Sequence, residues 1–95
     1  MAEFLVELYV SRTDGGGAER GAENARLAAE ELAGEGTAVR YIRSIFVPED
    51  ETCFVLYEAD SAEAVREAAR RAALPFERLA TAISKPRDEE IHPCP

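Results

Sequence analysis

Tryptophan is missing from this 95-residue chain, which also has only one histidine, one methionine and two cysteines. Lys85 is the only lysine. Acidic residues outnumber basic ones by 19 to 11, for a net charge of −8. That balance excludes nucleic acid as a partner, because a phosphate backbone is held by Lys/Arg surfaces. It disfavours an anionic membrane for the same reason. A single histidine, near the C-terminus, leaves no Ser-His-Asp or Cys-His nucleophile set. Two cysteines make no disulfide framework. No apolar run approaches the roughly 18 residues of a membrane span. The start, Met1-Ala2-Glu3, is acidic, and Glu7 breaks the first apolar run, so no signal peptide is expected. A cytoplasmic chain with free thiols is the expectation, and at this length a single domain.

Alanine is abundant. It supplies 17 of the 44 residues behind the 46% hydrophobic content, whereas Phe, Ile, Leu, Val and Met together give 22. The core is therefore small and lined by alanine. Domains of this size sit near the limit of independent stability, which makes self-association a natural supplement.

The order of residues predicts six elements. Phe4 to Val10 alternates as a strand. Ser11 to Gly17 reads as a polar turn, with Gly15-Gly16-Gly17 a flexible linker. It lacks the Lys-Ser/Thr of a phosphate loop and the spaced glycines of a dinucleotide fingerprint. Ala18, Ala22, Ala25, Ala29 and Leu32 recur at helical spacing, and Gly34 and Gly36 end that helix. Ala38 to Val47 and Thr52 to Glu58 are strands joined by Pro48-Glu49-Asp50-Glu51, hence a hairpin. Ser61 caps a second helix with Val65, Ala68, Ala69 and Ala72 as its stripe, stopped by Leu74-Pro75. Phe76 to Ile83 is a weaker last strand. Residues 1–84 form the domain and 85–95 an extended tail.

Strand, helix, strand, strand, helix, strand is the split βαβ order of a ferredoxin-like α+β fold. Two helices cover one face of a four-stranded antiparallel sheet, and the other face stays open. With Phe54, Leu56, Ile42 and Phe46 assigned to the core, alternation puts Leu5, Glu7, Tyr9, Tyr41, Arg43, Ile45, Cys53, Val55 and Tyr57 on the open face. All three tyrosines fall there. Such a mixed face fits a homodimer interface, where tyrosine supplies contact area and a polar tip. It also fits a ligand pocket formed by Glu7, Tyr9, Tyr41, Arg43 and Tyr57. Glu7 and Arg43 are expected to pair.

Four segments in register carry a family resemblance: Phe4-Leu-Val-Glu7, Val39-Arg-Tyr-Ile-Arg-Ser44, Phe54-Val-Leu-Tyr-Glu-Ala59 and Ala64-Val-Arg-Glu-Ala-Ala-Arg-Arg-Ala-Ala-Leu-Pro75. Over about residues 3–84 the chain resembles short ferredoxin-like proteins described as nickel-binding. The resemblance implies a homodimer with βαββαβ topology. It also implies donor positions that are commonly His in strand two, Cys in strand three and His in helix two. This chain has Arg43, Val55 and Ala68 there, and keeps the acidic Glu7. Nickel prefers nitrogen donors; arginine stays protonated and has no acceptor.

Other residues offer a replacement set. Glu7, Cys53, His92 and Cys94 are chemically suited to Zn²⁺ or Ni²⁺ if the tail folds over the sheet. The leading expectation is a small binding protein for a metal ion or small molecule, at the open face or dimer interface. Two alternatives are a dimeric ferredoxin-like enzyme of monooxygenase or isomerase type and an interaction module without a ligand.

Overall fold

A computed structural model describes residues 1–85, so the tail residues His92 and Cys94 lie outside the described residues. Strands β1 (Ala2–Tyr9), β2 (Val39–Val47), β3 (Thr52–Ala59) and β4 (Phe76–Ala82) alternate with helices α1 (Gly15–Gly34) and α2 (Ala62–Arg71) in the order β1-α1-β2-β3-α2-β4. The sheet order is β2-β3-β1-β4, with every pair antiparallel. This is the ferredoxin-like α+β arrangement. Helix α1 packs mainly on β2, and α2 packs across β3, β1 and β4.

The glycine run is the first turn of α1, not a linker. Asp14 caps it, its Oδ1 accepting from the Gly17 N–H at 2.9 Å. A Cβ at position 17 would overlap the Asp14 carboxylate, so glycine is what lets the cap close. At the other end Gly36, at φ 98°, turns the chain out while Thr37 N–H donates to the Leu32 carbonyl at 3.0 Å. Helix α2 begins as expected: Ser61 Oγ accepts from the Ala64 N–H.

The helices contribute mostly methyl groups to the core: Ala25, Ala28, Ala29, Ala64, Ala68 and Ala69 are buried, with Leu32 and Val65. The sheet supplies the bulk: Phe4, Val6, Leu8, Val55 and Tyr57. Alanine side chains take up little of the space between helix and sheet, which leaves room for large side chains from the strands. Tyr57 fills it, fully buried, with Tyr41 edge-on at 6.5 Å between centroids.

Register corrects the expected faces of β3. Phe4 is opposite Tyr57, Val6 opposite Val55 and Leu8 opposite Cys53. Directly paired residues share a face. Cys53, Val55 and Tyr57 therefore lie under the helices, buried, and Phe54 and Leu56 lie on the open face. Strand β2 is split by an irregularity between Tyr41 and Arg43. Tyr41 pairs with Tyr57 on the helix side, while Arg43 pairs with Leu56 and Ile45 with Phe54 on the open side. An extra residue at a bulge reverses the alternation beyond it. Of the three tyrosines only Tyr9 is on the open face.

Arg71 ties the helices together outside the core. Its guanidinium donates to Glu31 at 3.0 Å, Glu35 at 2.9 Å and Glu67 at 3.0 Å. The bond from Arg71 holds the Glu35 carboxyl below its ordinary value. Bonds from Arg70 and then Arg71 do the same for Glu67. A carboxylate depressed in the folded state stabilises the fold above its unfolded value and loses that contribution as pH falls through the folded one. Arg71→Met should therefore melt below the wild type at neutral pH. The gap should close in thermal scans taken from about pH 5 to about pH 2.

The Tyr57 hydroxyl is buried and has no hydrogen-bond partner among the described residues. Burial pushes its ionisation upward. An unpaired buried hydroxyl costs on the order of 1–3 kcal/mol. Tyr57→Phe should leave urea stability unchanged or raise it by about 1 kcal/mol, whereas Tyr57→Ala should lose about 3–5 kcal/mol.

Candidate functional site

The open face is laid out in cross-strand rows. The first is Arg40, Glu58, Glu3 and Ala82; the second is Arg43, Leu56, Leu5 and Ala80. The third is Ile45, Phe54, Glu7 and Arg78, and the fourth Val47, Thr52 and Tyr9. Leu56, Leu5, Ile45 and Phe54 thus form one apolar patch from three strands, with no helix above it among the described residues. Ile45 is 50% exposed.

Charges frame the patch and are mostly neutralised. Arg40 Nη2 is 2.9 Å from Glu58 Oε1, and Arg78 Nε is 3.3 Å from Glu7 Oε1. Glu3 accepts a hydrogen bond from the Ser84 hydroxyl. Tyr9 donates to Glu51 Oε2 at 3.4 Å, and the Arg12 N–H donates to the same oxygen at 3.1 Å. That backbone bond, with the nearby Arg12 charge, draws the Glu51 carboxyl below its ordinary value. The expected Glu7–Arg43 pair is replaced by Glu7–Arg78. Strand β3 lies between β1 and β2, and Glu7 and Arg43 stand in different rows.

Of the five residues expected to form a ligand site, the sheet brings Glu7, Tyr9 and Arg43 to one face. It removes Tyr41 and Tyr57 to the other. Phe54 and Leu56, which take their place, were assigned to the core by alternation. The signal that locates them is Glu58: it shares their parity, and a charged residue belongs on the uncovered side.

Glu7 and Cys53, the two members of the metal set within the described residues, do not come together. Cys53 is buried on the helix side, in an open groove of about 450 Å³ lined by Gly15, Ala18, Glu19, Ala22, Ser44 and Phe46. Glu7 is on the opposite face. The positions implied as family donors are likewise divided: Arg43 lies on the open face, Val55 and Ala68 in the core. Among the described residues no three His, Cys, Asp or Glu side chains converge as a metal site. The described residues therefore do not fit nickel or zinc.

A larger groove, of about 570 Å³, runs between α1 and the start of β2 and is lined by Ala29, Ala33, Val39 and Tyr41 with Met1, Arg26 and Arg40 at its edges. Arg26 is bound there to Glu23 and Glu30. Sequence alternation gives no sign of this groove, because a helix meeting an edge strand creates it.

Three comparisons with known proteins bear on the chain. The family described as "Nickel responsive protein SCO4226-like" matches residues 9–81. The crystal structure of SCO4226 from Streptomyces coelicolor A3(2) superposes with a TM-score of 0.69 at 22% identity, over 90% of this chain and 100% of that one. At that identity the likeness shows the fold. No curated protein matches the chain.

Burial raises the Cys53 thiol above its ordinary value. Thiolate is the reactive form. Iodoacetamide at neutral pH should leave the Cys53 peptide unmodified in the folded protein and alkylate it fully in denaturant, as read by peptide mass spectrometry.

Proposed function

The chain belongs to the SCO4226-like family of nickel-responsive proteins, and from that premise we propose that it is a non-enzymatic binding protein. It works as a homodimer, holding a small organic ligand between the open sheet faces of two copies. The observation that carries this reading is the uncovered patch of Leu5, Ile45, Phe54 and Leu56. A contiguous apolar patch framed by polar groups is the usual mark of an interaction surface. A second copy suits it because the frame carries both signs, Arg40 with Glu58 and Arg78 with Glu7. In a two-fold contact the same patch meets itself, so positive groups of one copy can face negative groups of the other. The small alanine-lined core adds a reason for assembly. A cytoplasmic setting belongs to the same reading, since Cys53 is a free thiol and needs no oxidising compartment.

Nickel enters this reading as a property of the family's description. The divided donor positions speak against a metal centre built by the domain. Uptake of nickel by the full chain would require the tail.

Sedimentation equilibrium at tens of micromolar tests the assembly. The wild type should be a dimer. Phe54→Glu should be a monomer with unchanged far-UV circular dichroism, because a carboxylate buried in the interface is left without a partner. A monomeric wild type, or a dimeric Phe54→Glu, overturns the proposal. Calorimetric titration of reduced, chelator-treated protein with Ni²⁺ addresses the metal. Any binding by the full chain should disappear in His92→Ala and persist in Glu7→Gln.

A further inference from the structure

Nine arginines lie within the described residues, and eight have a carboxylate within 4.0 Å. Arg43 is the exception among the described residues. In a chain with 19 acidic residues against 11 basic ones, an unpaired guanidinium is the improbable outcome. Its position adds to the contrast. Arg43 is exposed and heads the one row that is otherwise apolar, Leu56, Leu5 and Ala80. The carboxylate nearest in register, Glu58, is already held by two bonds from Arg40, at 3.1 and 2.9 Å. Phe54 and Ile45 occupy the next row.

We propose that Arg43 is the anion anchor of the open face, and that the face takes an amphipathic organic acid: one carboxylate, or a like anionic group, on an apolar body. The guanidinium presents a planar fork of donors matched to a carboxylate. The apolar body then lies along Leu56 and Leu5 and against the Phe54 ring. An inorganic anion would gain nothing from these side chains. A neutral apolar compound would leave Arg43 unpaired. This inference rests on the open face being the ligand surface, and it specifies what that surface selects.

The test is a titration of the full-length protein with three probes, 1-naphthoate, 1-naphthalenemethanol and acetate, followed by calorimetry and by backbone amide shifts. Naphthoate should bind at least about tenfold more tightly than the alcohol, shifting the amides of Leu5, Ile45, Phe54 and Leu56, and acetate should not bind. Arg43→Met should reduce naphthoate to the level of the alcohol and leave the alcohol unchanged. Arg66→Met, on the outer side of α2, serves as the control and should bind as the wild type does. Equal binding of acid and alcohol, or an Arg43→Met variant that keeps its preference, overturns the anion anchor while leaving a ligand surface in place. Binding of neither aromatic probe overturns both readings. An Arg43→Met protein that becomes monomeric while the wild type is dimeric shows that Arg43 pairs with the second copy instead, and also overturns the proposal.

Discussion

Tyr57 stands at the centre of the molecule, wholly shielded from solvent between the sheet and two alanine-faced helices. Its position follows from volume. Helices that present methyl groups fill little of the space over the sheet, and a ring from β3 occupies it, with Phe4 opposite and Tyr41 edge-on. The hydroxyl goes into that space without a partner among the described residues, a cost accepted for the ring's packing. Once Tyr57 points toward the helices, strand geometry leaves no further choice for β3. Val55 and Cys53 follow it inward, and Phe54 and Leu56 are turned out.

The outward pair gives the other face its character. On β1 the outward positions alternate acidic and apolar, Glu3, Leu5 and Glu7, and β4 places Arg78 beside Glu7. The bulge in β2 brings Arg40 and Arg43 to the same side although their numbers differ in parity. One of them meets Glu58. The other pairs with Leu56 and has no carboxylate within 4.0 Å among the described residues. The face is therefore a hydrophobic strip bounded by ion pairs, with Arg43 exposed at the head of one row. That arrangement supports binding more readily than metal coordination, which needs several donors converging on one point.

Much of this architecture was legible in the residues. The alanine spacing marked both helices, Ser61 and the glycines marked their ends, and Pro48 marked the hairpin. The order of elements then led to the ferredoxin-like sheet. Glycine favours loops in general; here the run opens a helix, and at Gly17 the Asp14 carboxylate lies where a Cβ would be. The faces of β3 were misread because both carry apolar side chains: Cys53, Val55 and Tyr57 on one side, Phe54 and Leu56 on the other. Hydrophobicity cannot separate two apolar sets, although Glu58 carried the answer.

The elements, their order and the acidic character could be read from the residues alone, because each is a matter of local composition or spacing. Only the tertiary structure decided which side of the sheet each strand residue occupies. Those sides are set by pairing with β1 and by one extra residue in β2, and a shift of one residue moves every later side chain to the opposite face. Glu7 and Cys53 were separated, and Arg43 was placed beside Leu56 without a carboxylate partner among the described residues, by that geometry and not by any property of the residues alone.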